Sequence, residues 1–381
     1  MNIVFLSVLF RHPEKGEKVG GGEISNRRLL EALAENHQVT VLSAVGNNLK
    51  GEQVQKVTYY DYSATGFLCL LPGVLSRLAS KWLYRRNTGQ ALKKIKPDII
   101  LCSTLEFNAA LPYAKANNIP VGAFIRAFEN FKEYDPKSIG GKIKRVFRNC
   151  LYGDTQDKTI NKLDFVLPNS DFMAEKCQAA FCAPSRYVIY PPVDLIGPQV
   201  VDLDSVKENT IRSVVMVSGA QKKGGHLFIE LSRRFPAVKF SIIGYRGDLS
   251  DDLKPSNLQL HGWVTNPEAL IAQADLVLVP SIWEEPFGRI AVEGLLSKKP
   301  VLVSNIGGLP ETVAYRAYLL VEPGNVPAWQ AKLEECFNCS NTLIEESRIA
   351  MASAQKYSMF NQIKNLEAAM INEIGMKAVP K

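Results

Sequence analysis

Glu285-Pro286-Phe287-Gly288-Arg289-Ile290-Ala291-Val292-Glu293 places two carboxylates eight positions apart on either side of a turn. The apolar run at residues 276–280 has the composition of a buried strand, and the residues after Gly288 have the apolar spacing of a helix. If this helix begins near Gly288, Glu293 lies about 7 Å further along its axis, at a rise of about 1.5 Å per residue. One carboxylate therefore follows a predicted strand directly, and the other lies on the next helix.

The spacing of the two carboxylates suits one kind of ligand. An ionised carboxylate only accepts hydrogen bonds, so Glu285 and Glu293 suit a molecule with hydroxyl groups at both ends. Between them, the backbone N–H groups at the start of the helix can bind an anion. A sugar, a diphosphate and a ribose in a row match this layout. For either glutamate taken alone, a solvated side chain is the more frequent situation.

A second motif downstream favours the functional interpretation. Residues 301–304 have the pattern of another buried strand, and Gly307-Gly308-Leu309-Pro310-Glu311 supplies a glycine pair and a helix start with proline near its beginning. Two adjacent strands thus end in loops suited to line one crevice. Open α/β sheets bind their ligands in such crevices, at the carboxyl ends of the strands.

Residues 281–311 resemble family 4 of the retaining glycosyltransferases, which have the two-domain GT-B fold. The two glutamates, the Phe-Gly between them and the Gly-Gly-x-Pro-Glu that follows carry the resemblance, and weaker similarity runs through most of the chain. It implies that Glu285 holds hydroxyls of the donor sugar and Glu293 those of the ribose. It also implies that the backbone amides of Phe287 and Gly288 meet the sugar. It specifies neither donor nor acceptor.

The chain is long enough for two domains, and its 46% hydrophobic and 22% charged residues are typical of a globular protein. Strand and helix patterns alternate through both halves, which predicts an α/β protein with parallel sheets covered by helices. The predicted strands are residues 3–8, 38–43, 98–102, 121–125, 165–167, 187–190, 213–217, 239–243, 258–261, 276–279, 301–304 and 318–321. The predicted helices include residues 23–35, 171–180 and 360–374.

Together with the resemblance, this alternation predicts a GT-B architecture: two Rossmann-like β/α/β domains facing an interdomain cleft. We assign residues 1–195 to an N-terminal acceptor-binding domain and residues 196–360 to a C-terminal nucleotide-sugar-binding domain. Residues 361–381 would form a C-terminal helix that returns to the first domain. The boundary near residue 195 rests on the Pro191-Pro192 pair and the polar stretch after it.

Lys222 and Lys223 lie in the loop after the predicted strand at residues 213–217. Lys223 matches a Lys-Gly that contacts the diphosphate in the family resembled. Many of its members also carry an arginine earlier in this loop, after a glycine, whereas here Gly219 is followed by Ala220. Either Lys222 supplies that charge or one cation serves, since a departing nucleoside diphosphate needs positive charge directed at it. Two solvated loop lysines are the alternative.

Gly21 and Gly22 follow the first predicted strand and open a helix, where backbone amides can approach a ligand closely. The resemblance places this loop near the donor phosphates and the acceptor, and a turn without a ligand is the alternative. Arg126 lies where many relatives have a histidine near the donor sugar. Arginine stays charged and cannot act as a base, but it can donate hydrogen bonds to sugar hydroxyls or phosphates. Glu106 is a weaker candidate for acceptor binding.

Two further strand ends carry a glycine and an aromatic residue, Gly244-Tyr245 and Gly262-Trp263. In the family resembled, these loops face the nucleotide base, mostly through backbone groups. Stacking of Tyr245 or Trp263 on the base is one interpretation, and an aromatic side chain that covers the domain edge is the other. The catalytic candidates are then Glu285, Lys223 and Arg126. The donor-binding candidates are Glu293, Phe287, Gly288, Gly21, Gly22, Gly244, Tyr245, Gly262, Trp263 and Lys222.

The net charge of +7 is the sum of +8 in residues 1–195 and −1 in residues 196–381. Residues 76–96 and 137–148 contain several basic residues and no acidic ones, and Trp82 and Leu92 punctuate the first of these stretches. A basic amphipathic helix of this kind suits an anionic membrane surface. A solvated helix face that packs its Leu and Trp into the domain is the alternative. Nucleic acid is not an expected partner, because no interleaved aromatic surface accompanies the charge.

The seven scattered cysteines indicate thiols in a reducing cytosol, and no apolar run reaches the roughly 18 residues of a membrane span. We therefore expect a cytoplasmic protein, peripheral at most on the inner face of the membrane. We expect no metal cofactor, since fixed cations and helix N-termini can stabilise the leaving group.

The resemblance implies a retaining hexosyltransferase that uses a nucleotide sugar and a carbohydrate or lipid-linked acceptor in bacterial polysaccharide, lipopolysaccharide or glycolipid assembly. The rival interpretations are a nucleotide-sugar 2-epimerase or a phosphorylase of the same fold, and a non-catalytic GT-B binding module. The Arg126 substitution favours the last of these, and the intact pair of glutamates argues against it.

Overall fold

The computed structural model describes residues 1–10, 21–45, 50–61, 73–103, 107–128, 161–180, 185–193, 211–245, 247, 254–264 and 267–378. The chain divides into two compact units. The first unit comprises Met1–Pro192 together with Gln362–Lys381, and the second comprises Val193–Asn361. Each unit is built on a largely parallel sheet, so the predicted α/β class with two parallel-sheet domains is confirmed.

The sheet of the first unit has the order β3-β4-β2-β1-β5-β6-β7-β8. Its strands are β1 (Asn2–Leu9), β2 (Gln38–Val45), β3 (Lys50–Val54), β4 (Val57–Asp61), β5 (Ile99–Cys102), β6 (Val121–Ile125), β7 (Phe165–Pro168) and β8 (Ser185–Arg186). The described helices between them are α1 (Gly21–Leu33), α2 (Gly73–Ile95), α3 (Phe107–Ala116) and α4 (Asp171–Ala180). The central strands are fully buried because helix-covered parallel sheets expose neither face.

Two features of the first sheet differ from the sequence prediction. The strand predicted at residues 187–190 is wrong, since the strand lies just before it, at Ser185–Arg186. The backbone nitrogens of Tyr187 and Ile189 still donate hydrogen bonds to the neighbouring strand β7. That strand ends at Pro168, which has no N–H and cannot donate a hydrogen bond back to residues 187–190. The antiparallel hairpin of β3 and β4 was not predicted, because Lys-Gly-Glu-Gln-Val lacks the apolar alternation of a strand.

The sheet of the second unit is parallel throughout its described strands, in the order β11-β10-β9-β12-β13-β14. The strands are β9 (Ser213–Val217), β10 (Lys239–Ile243), β11 (Leu258–Leu260), β12 (Leu276–Val279), β13 (Val301–Ser304) and β14 (Leu320–Val321). The strand predicted at residues 318–321 is only half correct, because Ala317–Leu319 forms a 3₁₀ turn. The central position of β9 brings the loops after β9, β10, β12 and β13 to one edge of the sheet.

The helices of the second unit are α5 (Gly225–Arg234), α6 (Pro267–Gln273), α7 (Arg289–Leu296), α8 (Leu309–Thr312), α9 (Val326–Asn338) and α10 (Asn341–Ala354). Their apolar faces close a core against the sheet. Phe228 on α5 meets Phe240 on β10 edge-to-face at 5.1 Å, and Trp329 on α9 is fully buried. This packing fixes the strands, and the strands fix the loops that carry the charged residues.

The last helix, α11 (Met359–Ala378), belongs to the first unit from Gln362 onwards. Gln362 Oε1 accepts a hydrogen bond from the nitrogen of Tyr190 at 2.8 Å, and Glu367 pairs with His37 Nε2 at 2.8 Å. Near its end, Lys377 Nζ lies 2.7 Å from a carboxylate oxygen of Asp164. Polar contacts from Gln362 to Lys377 therefore hold this part of the helix to the first unit. None of the described helices combines the length and the apolar character needed to cross a bilayer.

The buried Glu373 on α11 makes the stability of the first unit depend on pH. It accepts a hydrogen bond from the Tyr187 hydroxyl at 2.8 Å. Burial raises the pKa of this carboxyl, and the bond from Tyr187 opposes that shift. A carboxyl with a raised pKa in the folded state stabilises the fold while it is protonated, and that contribution is lost as pH rises through the folded pKa.

Glu373→Gln should remove this dependence, because the amide does not titrate. We expect the melting temperature of the wild type, relative to this variant, to be higher at about pH 5 than at about pH 7. Glu345→Gln makes the same change at an exposed site and serves as the control. A difference between wild type and Glu373→Gln that stays constant over this range would contradict the prediction.

Candidate functional site

The loop after β12 holds the first of the two glutamates. The Glu285 side chain is 6% exposed, and its Oε1 accepts hydrogen bonds from Ser281 Oγ at 2.6 Å and from Lys223 Nζ at 2.5 Å. Among the described residues, both donors reach the same oxygen, so Oε2 can accept from a ligand hydroxyl. Ser281 was not predicted as part of the site, although its position at the exit of a buried strand was visible in the sequence.

The glycine pair after β13, Gly307 and Gly308, packs against the backbone of this loop. The nitrogen of Gly308 donates to the carbonyl oxygen of Glu285 at 2.7 Å. Gly307 has a φ of +61°, and a Cβ at this position would lie 2.6 Å from the backbone nitrogen and oxygen of Glu285. The two backbones can approach this closely only because residue 307 has no side chain.

Lys223 is brought to Glu285 because the loop after β9 packs closely against the loop after β12. Gln221–Lys223 forms a 3₁₀ turn after β9, and Gly224 ends it with a φ of +86°. A Cβ on Gly224 would lie 2.0 Å from the carbonyl oxygen of Pro280. The loop after β9 thus lies against the loop after β12, and this contact sets the ammonium group beside the carboxylate.

Lys222 has a different environment from Lys223. Its Nζ lies over the ring of Trp283, 4.2 Å from the centroid, whereas Lys223 Nζ lies 5.6 Å from the same centroid. An ammonium group at such a distance from an indole face is attracted by the ring quadrupole. Of the two adjacent lysines, Lys222 therefore contacts the Trp283 ring and Lys223 pairs with the Glu285 carboxylate.

The second glutamate is on α7, one turn into the helix. The Glu293 side chain is 10% exposed, and its Oε1 lies 2.9 Å from Nη2 of Arg289, the first residue of α7. Arg289 was not assigned a role from the sequence. Its i, i+4 spacing from Glu293 was the signal that could have indicated the pair, since residues four apart meet on one face of a helix.

The second unit has two cavities near these residues, and several of them line the smaller one. A cavity of about 150 Å³ is lined by Lys223, Ser281, Glu285, Gly288 and Arg289, among others. A larger cavity of about 960 Å³ is lined by the loops after β9 and β10, and both cavities include Val217 in their walls. Glu293 is not among the described residues that line either cavity, and its Oε1 accepts from Arg289 Nη2.

The larger cavity has an aromatic wall and a polar wall. The aromatic wall is formed by Tyr245 and by Trp263, which is 57% exposed. The polar wall is a face of α5, with His226, Glu230 and Arg233. Both aromatic residues were predicted from the sequence, whereas the α5 face was not.

The remaining donor-binding candidates offer main-chain groups, rather than side chains, to the site. The nitrogen of Gly244 donates to the carbonyl oxygen of Gly262 at 3.1 Å, which ties the loops after β10 and β11 together. The Phe287 ring is buried and packs edge-to-face on Tyr357 at 5.1 Å. Only the main chain of Phe287 is thus in a position to meet a ligand. Gly288, with a φ of +119°, precedes the first turn of α7.

The first-unit candidates form a group of their own. Arg126 Nε donates to Asn26 Oδ1 on α1 at 2.7 Å, and a Cβ on Gly22 would lie 3.6 Å from Arg126 Cδ. The guanidinium also stacks over the Phe124 ring at 4.7 Å. The structure therefore brings Arg126 to the start of α1, where Gly21 and Gly22 were predicted to approach a ligand.

The basic stretches have a mixed outcome. Residues 76–96 lie largely within α2, as predicted, but Trp82 and Leu92 do not share one apolar face. Trp82 is 59% exposed with Arg86 over its ring at 5.3 Å, while Leu92 is fully buried. Residues 137–148 and Glu106 lie outside the described residues. In the part of the chain that is described, no cluster of three or more His, Cys, Asp or Glu side chains is placed to hold a metal ion.

Comparison with known sequences identifies the class of protein. Residues 19–196 match the model of glycosyltransferase family 4, and residues 212–338 match the model of glycosyl transferases group 1. The chain therefore belongs to the glycosyltransferases of the group 1 and family 4 type, and the resemblance found in the sequence is confirmed. An uncharacterised 42.6 kDa protein in the cps region of Klebsiella pneumoniae is 25% identical over 343 residues, which cover 82% of this chain and 87% of that protein.

Solved structures agree on the fold. A glycosyltransferase from Rickettsia africae superposes with a TM-score of 0.70 at 17% identity and covers 98% of both chains. The Anabaena protein HepE in complex with UDP gives a TM-score of 0.69 at 18% identity over 98% of this chain and all of that one. HepE in complex with UDP-glucose gives 0.67 at 17% identity over 97% and 99%. At these identities the likeness shows the GT-B fold alone.

The glycine at position 307 should be hard to replace, because a Cβ there would meet the backbone of Glu285. In Gly307→Ala, the alanine must adopt a left-handed conformation, which costs about 1–2 kcal/mol. Its Cβ would also clash with the backbone of Glu285. We expect a loss of at least about 3 kcal/mol in unfolding free energy, measured by denaturant titration.

Gly244→Ala is the matched control for this variant, because its φ of +74° is equally left-handed but no atom lies within 4 Å of the added Cβ. It should lose only the conformational term, about 1–2 kcal/mol. Equal losses in the two variants would show that the approach to Glu285 does not require the glycine.

Proposed function

We propose that this protein is a retaining glycosyltransferase that moves a sugar from a nucleoside diphosphate sugar to an acceptor hydroxyl. The observation that carries the proposal is the cluster of Lys223, Glu285 and Ser281 at the wall of a cavity that also borders the start of α7. It combines an acceptor for sugar hydroxyls with a cation for a leaving phosphate.

The nucleoside would occupy the larger cavity. Its volume of about 960 Å³ lies at the upper end of the roughly 300–1,000 Å³ usual for small-molecule sites. Tyr245 and Trp263 offer aromatic faces on which a base can stack. The Anabaena HepE structures hold UDP and UDP-glucose, which supports a nucleoside diphosphate as the leaving group here.

The diphosphate would lie between the two glutamates, near Lys223. The ammonium group and the partial positive charge at the start of α7 would stabilise the negative charge that develops as the sugar departs. Glu285 Oε2 would accept from donor-sugar hydroxyls, and Glu293 from the ribose. The donor then spans the two carboxylates in the order sugar, diphosphate, ribose.

The bond changes follow from retention without an enzyme nucleophile. The acceptor oxygen would form its bond to the anomeric carbon on the face from which the diphosphate departs, as the bond between that carbon and the phosphate oxygen breaks. The proton of the acceptor hydroxyl would pass to the departing phosphate oxygen. No metal ion is required in this scheme, because Lys223 and the helix start supply the positive charge.

The first unit would bind the acceptor, with Arg126 beside Gly21 and Gly22 donating to sugar hydroxyls or phosphates. Polysaccharide assembly in the cytoplasm is the proposed setting, supported by the relative in the cps region of Klebsiella pneumoniae. The exposed Trp82 and Arg86 on α2 support a peripheral contact with the inner face of the membrane. A lipid-linked acceptor would bring the enzyme to that surface.

A panel of nucleotide sugars tests the donor site directly. A ligand at about 100 times its dissociation constant stabilises the folded state by about 2.7 kcal/mol. The true donor should therefore raise the melting temperature of the wild type by several degrees, and Glu293→Ala should lose most of this rise. The measurement is a thermal-shift titration.

Glu345→Ala is the matched control, because Glu345 also forms an ion pair with an arginine within one turn of a helix, but at an exposed site. It should keep the full rise. If no nucleotide sugar shifts the wild type, or if Glu293→Ala responds as strongly as the wild type, the proposed donor site is wrong.

Turnover distinguishes the transferase from its rivals. Lys223→Gln and Glu285→Gln should each lower kcat/KM by roughly 10²-fold or more, the usual scale for loss of one preorganised electrostatic contact. Proton NMR of the product should show the anomeric configuration of the donor. Turnover that depends on inorganic phosphate would indicate a phosphorylase, and turnover without any acceptor an epimerase. An inverted product would exclude the same-face mechanism.

A further inference from the structure

Arg289 is a third charged residue at the small cavity, and the proposed mechanism does not use it. It lines the cavity of about 150 Å³ together with Lys223 and Glu285, and its side chain is 23% exposed. Within the described chain, its one hydrogen bond joins Nη2 to Glu293. Its Nε is buried and has no hydrogen-bond partner there. A buried donor without a protein partner is costly, and the guanidinium therefore has hydrogen-bonding capacity that its contact with Glu293 does not use.

The charges around this cavity cancel before a donor binds. Lys223 and Arg289 are positive, and Glu285 and Glu293, their respective partners, are negative. A bound diphosphate adds further negative charge, which favours cations within reach of it. The charge of Lys223 is already balanced by Glu285 and that of Arg289 by Glu293, so each cation would share its charge between a glutamate and the phosphates.

The other candidate for a second cation is less well placed. Lys222 Nζ lies over the Trp283 ring at 4.2 Å, and of the described residues it is Lys223 and Arg289 that line the small cavity. Ala220, earlier in the same loop, carries no charge. The sequence left two possibilities open, Lys222 as the second cation or a single cation. The geometry favours neither of them and points to Arg289.

We propose that Arg289 binds the diphosphate of the donor, as the second cation of the site beside Lys223. A guanidinium carries five N–H donors in a planar fork that matches phosphate oxygens, so it can hold Glu293 and a phosphate together. Arg289 would then join the ribose-binding carboxylate to the diphosphate. This inference rests on the proposed function, because it assumes that a nucleoside diphosphate occupies the site.

The test compares binding of a nucleoside with binding of its diphosphate. Uridine and UDP, and guanosine and GDP, are titrated calorimetrically into the full-length wild type, Arg289→Gln and Glu293→Ala. Arg289→Gln should weaken binding of the diphosphate by about 10- to 100-fold, the range expected for a charge-assisted hydrogen bond, and leave the nucleoside within a few fold of the wild type. Glu293→Ala should weaken nucleoside and diphosphate by the same factor.

Arg348→Gln is the matched control, because Arg348 pairs with Glu345 one turn away on α10 at an exposed site. It should bind both ligands as the wild type does. Circular dichroism and the melting temperature report whether each variant is folded. If Arg289→Gln does not fold, Arg289→Lys gives the same comparison with a smaller expected loss, since lysine keeps the charge without the fork.

The outcomes separate this inference from the proposed function. If neither diphosphate binds the wild type, the proposed function fails and the inference fails with it. If the wild type binds and Arg289→Gln retains the wild-type preference for diphosphate over nucleoside, Arg289 does not contact the phosphates and the inference alone is wrong. Equal losses of nucleoside and diphosphate would likewise overturn it, because they would show that Arg289 only positions Glu293.

Discussion

Backbone-to-backbone contact between neighbouring loops is the constraint on which the candidate site depends. Gly224 rests on the carbonyl of Pro280, and Gly307 rests on the backbone of Glu285. Neither contact leaves room for a Cβ atom. The loops after β9, β12 and β13 are therefore locked to one another by main chain, and the charged side chains sit on a frame that does not depend on their own interactions. Such a frame can hold a charge at a fixed distance from a ligand without reorganising when the ligand changes.

The charged groups add little to the stability of that frame. The Glu285 side chain is almost fully buried, and Lys223 is about one-third exposed. Taking a carboxylate out of water costs nearly as much as its ion pair returns, so a buried pair is weak evidence of stabilisation. Under the proposed function, the buried pairs of this unit would serve binding rather than folding. The stability of the unit comes instead from its apolar core, in which Phe228, Phe240 and Trp329 are fully covered.

The sequence predicted the fold well where burial alone decides the structure. The strands β9, β10, β12 and β13 are short apolar runs, and their predicted bounds match the observed ones. Prediction failed where hydrogen bonding decides. The hairpin of β3 and β4 pairs through a polar strand. The stretch after β8 donates to β7 but receives no hydrogen bond from Pro168, which has no N–H.

The site shows the same division. The two glutamates could be selected from their spacing, and Lys223 from its match to the family resembled. Arg289 and Ser281 were not selected, although their positions were visible in the sequence, because the oxygen that each side chain meets is set only by the folded turn. The difference between Lys222 and Lys223 is equally invisible in sequence, since it is set by the position of the Trp283 ring.

The return of α11 to the first unit has a consequence for biosynthesis. His37 and Glu367 lie 330 positions apart along the chain, yet they share a hydrogen bond within one unit. Domains usually fold as they leave the ribosome, in order from the amino terminus. Here the ribosome completes the second unit, which ends at Asn361, before it synthesises the residues from Gln362 onwards that belong to the first unit. The described strands of the amino-terminal sheet are thus all synthesised by Arg186, but the helix that packs on this unit follows only after the whole second unit.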